Sequence, residues 1–137
     1  GFYLLAWKDP NGANLDRAQI VKGWVDDTGV SHEKVFDVAV ADQRIANPST
    51  AKFPDVGNTV DPSTPSYTNT IGGPSILVFW KDPEFQSDQS AFYYVRVLEI
   101  PTPRWSTFDA VKLGTVPMEP ATIQERAITS SIWYRAY

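Results

Sequence analysis

AFYYVRVLEI, residues 91–100, is the stretch that decides the fold. Tyr93, Val95 and Val97 fall on one face of an extended chain, and the residues between them fall on the other. Alternation over this length, in a run rich in aromatic and β-branched residues, is typical of a β-strand. The sequence therefore predicts that residues 91–100 form the longest strand of a sheet.

Four other runs have the composition of strands, and turn signals separate most of them. FYLLAW and SILVFW are short and apolar, and the continuous apolarity of SILVFW indicates a strand that is covered on both faces. A turn at Asp9–Gly12 predicts that residues 2–7 and 16–24 form a hairpin. The four runs are residues 2–7, 16–24, 34–40 and 75–80.

The remainder of the chain is mostly irregular. Residues 41–65 are rich in Pro, Asp, Asn and Ser, with short β-prone pieces at GNTVD (57–61) and SYTNTI (66–71). One or two helical turns are predicted over 106–114, with Ser106 or Thr107 as the N-cap and Gly114 as the C-cap.

The spacing of these elements predicts an all-β fold. Seven or eight strands at hairpin spacing, with long irregular insertions, favour an antiparallel β-sandwich of immunoglobulin-like architecture. Residues 1–137 are expected to form a single domain. Because the chain opens inside a strand, we expect it to be a C-terminal fragment of a longer protein.

Composition excludes several classes of protein. The formal net charge is −4 and the Lys and Arg residues are not clustered, so nucleic acid is not an expected partner. No run of about 18 apolar residues is present, so no membrane span is predicted. The chain has no cysteine, which excludes disulfides and thiolate metal sites.

The residues offer little for catalysis. His32 is the only histidine, whereas a common catalytic zinc site needs two or three nitrogen ligands and a Ser-His-Asp triad needs a positioned histidine. The carboxylates are scattered, and no pair is fixed by spacing. We therefore expect no enzyme activity, no metal site and no cofactor in this chain.

The stretch LEIPTPRWSTFDA, residues 98–110, is the strongest candidate for function. Two prolines reduce the entropy lost when it is ordered, and an Arg-Trp pair has the chemistry of an interface anchor. Four of the five tryptophans lie in or beside strand runs, where packing is expected, and Trp105 is the exception. The candidates for an interface or a substrate cleft are Arg104, Trp105, Glu99 and Asp109.

Two residues, Arg96 and Trp105, leave alternative interpretations open. Arg96 lies inside the long strand and is expected to pair with an acid, either Glu99 or Glu125. Trp105, with neighbouring aromatic residues, could instead form the platform of an independent carbohydrate-binding module.

Several segments together resemble the C-terminal region of a bacterial family, domain-of-unknown-function family 3604. They cover most of the chain: RAQIVKGW (17–24), VGNTVD (56–61), YTNTIG (67–72), AFYYVRVLEIPTPRWSTFDA (91–110) and ATIQERAITSSIWY (121–134). The sequence departs from the family pattern at Ile128, where an aromatic residue is expected, and at Ser131, where a proline is expected.

The resemblance implies an accessory role. The upstream region of this family resembles metal-dependent hydrolases of the polymerase-and-histidinol-phosphatase type, so any divalent metal would be held before residue 1. The present chain would be a non-catalytic domain that packs on that hydrolase domain and helps to shape its cleft. The exposed docking face could also cause self-association. A periplasmic or cell-envelope location is expected for the parent protein.

Overall fold

The computed structural model describes residues 1–136, and this part of the chain contains nine strands and one helix. The long strands were predicted to within a few residues at each end, whereas the short strands near the C-terminus raise the number above the expected seven or eight. The elements are β1 (Phe2–Trp7), β2 (Leu15–Val25), β3 (Ser31–Val40), β4 (Ser75–Trp80), β5 (Ala91–Glu99), β6 (Thr102–Pro103), α1 (Trp105–Leu113), β7 (Thr122–Ile123), β8 (Arg126–Ile128) and β9 (Ile132–Tyr134).

The strands form an antiparallel sandwich, as the sequence predicts. In the larger sheet β2 lies between β3 and β5, and the far edge of β5 pairs with β8 and then β9. β1 and β4 form a two-stranded sheet, and β6 and β7 make a separate short pair. Ala18 of the larger sheet packs with Leu4 and Ile76 of the smaller one. Ile20 packs with Phe2 and Trp80, so the core lies between the two sheets.

The predicted hairpin between the first two strands is wrong. β1 pairs along its whole length with β4, from Phe2 opposite Trp80 to Trp7 opposite Ser75. The turn at Asp9–Gly12 does form, because the Gly12 amide donates to the Asp9 carbonyl at 2.9 Å. It carries the chain from one sheet to the other, and this crossing lets β1 and β2 bury their apolar faces against each other.

The expectation that β4 is covered on both faces is also wrong. Its inward residues Ile76, Val78 and Trp80 are buried or half-buried, whereas Leu77 and Phe79 are exposed. The same alternation occurs in β1. In a two-layer sandwich each sheet has only one face on the core, so continuous apolarity does not imply a second cover within the described residues.

The long insertion between β3 and β4 is irregular, as predicted, but its two β-prone pieces do not form strands. They contribute only a single bridge between Asp61 and Ser66. The start of the insertion is fixed by Arg44, which donates to the buried Asp16 carboxylate at 2.7 Å and to the Pro54 carbonyl at 2.9 Å. Polar anchoring therefore replaces strand pairing in this segment.

α1 begins at Trp105, one residue before the predicted segment 106–114. Its N-cap is Arg104, which provides no side-chain cap, so neither Ser106 nor Thr107 has that role. Gly114 is the C-cap as predicted, with a φ of 66° that favours glycine. Among the described residues, no helix is long and apolar enough to cross a membrane.

Candidate functional site

An uncovered apolar surface lies on the outward side of the two-stranded sheet, which we call the β1–β4 outer face. Its members are Tyr3, Leu5, Trp7, Leu77 and Phe79, and all five are exposed. Tyr3 and Phe79 pack on each other with ring centroids 4.6 Å apart, and Leu5 lies directly opposite Leu77. None of these side chains is charged. A contiguous apolar face of this kind on a soluble domain is typical of an interaction surface.

The edges of the same sheet are open among the described strands. β1 has β4 as its partner and β4 has β1, so each has one edge without a neighbouring strand. Unpaired backbone donors and acceptors at such edges can bind another chain. Both the side chains and the backbone therefore make this sheet suitable for docking.

The four residues predicted from sequence do not form one cluster. Arg104, Trp105 and Asp109 lie at the start and in the middle of α1, whereas Glu99 ends β5. Trp105 is 74% exposed, and Arg104 makes only a long contact of 3.5 Å to the Pro120 carbonyl. No hydrogen bond or ion pair joins any two of the four side chains within residues 1–136. The α1 residues are accessible for binding, but the structure gives them no shared pocket.

The fold alters the acidity of Glu99. Partial burial raises the pKa of Glu99, and the nearby carboxylates of Glu125 and Asp9 raise it further, against a smaller opposite effect of Lys8. The folded protein therefore disfavours the ionised form of this carboxyl group.

We expect Glu99→Gln to increase stability slightly at pH 7, because it removes a carboxylate that the fold holds in an unfavourable environment. The sign follows from linkage. A carboxyl pKa that is raised on folding costs stability once the pH exceeds the unfolded value, and the cost disappears below it. Urea denaturation at pH 7 and at pH 3.5 measures the difference. A loss of stability at pH 7 would instead show that the charge of Glu99 is used in a stabilising contact.

A buried polar cluster lies at one end of the core. Lys22 Nζ contacts Asp82 Oδ2 at 2.7 Å, both side chains are almost fully buried, and the Tyr93 hydroxyl donates to the same oxygen at 2.8 Å. Burial raises the pKa of Asp82, but hydrogen bonds from Lys22, the Glu84 amide and Tyr93 outweigh this effect and lower it. All hydrogen-bonding groups of the pair have partners, so this cluster is a structural ion pair with no free group for chemistry.

The predicted acidic partner of Arg96 is wrong. Arg96 Nε donates to the Gln19 amide oxygen at 2.8 Å, and Gln19 donates in turn to Asp37 at 2.7 Å. Neither Glu99 nor Glu125 takes part, because both residues lie beyond the strand positions that are directly opposite Arg96. The alternation of β2 and β5 contained this signal, since Gln19 and Arg96 are directly opposite each other.

The tryptophans divide into two groups. Trp24 and Trp80 pack against the core, as predicted, whereas Trp7 and Trp133 are exposed and have no packing role in the core. His32 lies in β3 and stacks on Trp24 with ring centroids 5.3 Å apart, and its Nε2 is 2.7 Å from Asp26. In the described part of the chain, no three metal-ligating side chains lie close enough to hold an ion.

The fold is a β-sandwich whose smaller sheet has an uncovered apolar outer face within the described residues. The model of the family described as "Protein of unknown function (DUF3604)" matches residues 1–136, so the chain belongs to that family. No curated protein and no solved structure matches it.

Proposed function

We propose that this chain is a non-catalytic accessory domain that docks on a hydrolase-type domain of the same protein through the β1–β4 outer face. The observation that supports the proposal is the row of large apolar side chains that stays in water when the sandwich is folded. Burying such a face against another domain is favourable by about 25 cal/mol per Å² of apolar area. The partner would be the upstream region of the family, which resembles metal-dependent hydrolases, and that region would hold any metal.

A second apolar surface competes for this role. α1 exposes Trp105, Phe108 and Leu113, and Arg104 lies beside Trp105. In the proposal these residues wall the cleft of the docked domain, where Arg104 could bind an anionic substrate group. The two surfaces are on different elements, so substitutions can separate their contributions.

Leu77→Lys in the full-length protein is expected to undock the domain, because it places a charge in the middle of the β1–β4 outer face. Leu113→Lys is a matched control, since the two leucines are 74% and 75% exposed. Calorimetry and limited proteolysis measure docking. We expect Leu77→Lys to split one unfolding transition into two and Leu113→Lys to leave it single.

The reverse pattern would assign docking to α1, and no effect of either variant would refute a docked domain. Hydrolysis of a generic phosphoester by metal-loaded full-length protein tests the cleft. Arg104→Ala and Trp105→Ala should lower it if these residues wall the cleft, and unchanged rates would disprove that part of the proposal.

A carbohydrate-binding module is the second candidate function. It is favoured by the number of exposed aromatic rings. Among the described residues, however, no aromatic ring lies within stacking distance of Trp105.

A further inference from the structure

The outer face of the larger sheet carries a row of residues across four strands. Gly23 of β2 lies opposite Glu33 of β3 on one side and opposite Phe92 of β5 on the other, and Phe92 lies opposite Trp133 of β9. Directly opposed residues project from the same face. Because Tyr93 points into the core, Phe92 and its partners point away from it.

The absence of a side chain at Gly23 shapes this row. A Cβ atom there would lie 2.3 Å from Phe92 Cζ, so the end of the Phe92 ring lies over the glycine. The ring is parallel to Tyr94 within 9°, with centroids 6.5 Å apart, and is 5.2 Å from the ring of Trp133. Phe92, Tyr94 and Trp133 therefore form one continuous aromatic surface, which we call the aromatic platform.

Polar groups border the platform on its β3 side and at its end. A cleft of about 600 Å³ lies here, lined by Gly23, Phe92 and Trp133 together with Ser31, Glu33 and Ser90. Glu33 and the two serines are exposed. Sites for small ligands characteristically combine an aromatic lining with a few polar groups that fix orientation.

We propose that the aromatic platform binds a neutral oligosaccharide. The Phe92 and Trp133 rings are tilted by 47° to each other, so successive pyranose rings of the ligand would place their C–H faces on them. The sugar hydroxyls would donate to the Glu33 carboxylate and exchange hydrogen bonds with Ser31 and Ser90. An anionic ligand is disfavoured by Glu33. No lysine or arginine lines the described cleft, and the Nε2 of its one histidine, His32, is already 2.7 Å from Asp26 Oδ2.

This site differs from the one expected from sequence and does not depend on the docking proposal. Trp105 is as exposed as Trp133, at 74% against 76%, but among the described residues no aromatic ring stacks on it. The aromatic platform lies on the outer side of the larger sheet, whereas the β1–β4 outer face lies on the outer side of the smaller one. A docked domain would therefore leave the platform free.

The test is calorimetric titration of the protein with neutral gluco-, manno-, xylo- and chito-oligosaccharides. We expect at least one of them to bind, Trp133→Ala to weaken binding about tenfold or more, and Glu33→Gln to weaken it several-fold. Ile45→Ala is the neutral control, because Ile45 is 83% exposed and lies outside the proposed surfaces, and Trp105→Ala tests the alternative platform on α1. Because Trp133 and Glu33 are exposed, both variants should keep the far-ultraviolet circular dichroism of the parent.

Three outcomes would overturn the proposal. The first is no binding of any of these sugars at millimolar concentration. The second is loss of binding in Trp105→Ala but not in Trp133→Ala. The third is a change of oligomeric state in Trp133→Ala by light scattering, which would make the platform a contact between copies of the chain. None of these results bears on Leu77→Lys, so the docking proposal stands or fails separately.

Discussion

Asp82→Ala is expected to destabilise the protein by about 3–5 kcal/mol, because it leaves the buried ammonium of Lys22 without a counter-charge. The Lys22–Asp82 contact is 2.7 Å long and both side chains are only 3% exposed, so the ammonium depends on the carboxylate for most of its compensation. The Tyr93 hydroxyl, which donates to the same oxygen, loses its partner as well. Urea denaturation at pH 7 measures the loss.

An exposed ion pair on the same part of the fold provides the control. Lys34 pairs with the Glu84 side chain, and both are 43% or more exposed. Glu84→Gln is therefore expected to cost about 0–1 kcal/mol. If the two substitutions cost the same, the pair at Lys22 is solvated in solution and the buried cluster is not a stabilising feature.

Removing the whole cluster separates the charge from the packing. Combining Asp82→Ala with Lys22→Met and Tyr93→Phe leaves no unpaired polar side chain, so most of the lost stability should return. A triple variant no more stable than Asp82→Ala would show that the hydrogen bonds themselves, and not the unpaired charge, carry the effect.

The Asp82 carboxylate also makes the stability of the protein depend on pH in a definite direction. Its pKa is lower in the folded protein than in the unfolded chain, so its contribution is fully present above the unfolded value of about 4 and is lost as the pH falls through the folded one. The stability difference between the protein and Asp82→Ala should therefore shrink below pH 4.

Strand positions were predictable because each long strand has its own local pattern. Phe2–Trp7 and Ser75–Trp80 were predicted with their observed bounds, and β5 was predicted one residue too long. Partners were not predictable in the same way. The Asp9–Gly12 turn looks like a hairpin loop, and nothing local shows that the following strand enters the opposite sheet.

Neither the β1–β4 outer face nor the aromatic platform could be predicted without knowledge of the strand partners. SILVFW is apolar throughout, but only the pairing with β1 shows that Leu77 and Phe79 share a face with Tyr3. The row from Glu33 to Trp133 that contains the aromatic platform requires the register of three strand pairs, and Trp133 comes from a strand of three residues with little periodicity. By contrast, Arg104 and Trp105 were noticed because they are adjacent in sequence, a signal that does not reveal a shared pocket.

Gly73→Ala is expected to be severely destabilising, by more than about 3 kcal/mol, because the added Cβ would overlap backbone. An ideal Cβ at Gly73 lies 1.9 Å from the Ala41 carbonyl oxygen. Gly73 also exchanges two hydrogen bonds with Leu15, at 2.8 and 3.0 Å, which hold it close to the start of β2. Chemical denaturation and hydrogen exchange of the Leu15 amide measure the effect.

Ala41 cannot move aside at low cost. Its amide donates to the Asp16 carbonyl at 2.9 Å, and Asp16 is 2% exposed and accepts hydrogen bonds from Arg17 and Arg44. Relief of the overlap would therefore disturb the anchor of the long insertion as well as the strand pairing at Leu15.

Gly29→Ala separates this overlap from the general cost of replacing a glycine. Gly29 has a φ of 85° and no atom within 4 Å of its ideal Cβ, so its replacement costs only backbone strain, about 1–2 kcal/mol. If Gly73→Ala costs no more than Gly29→Ala, the contact with Ala41 is looser in solution. The insertion would then be held by the hydrogen bonds of Arg44 to Asp16, of Arg17 to the Pro54 carbonyl and of Asn14 to the Ile71 carbonyl.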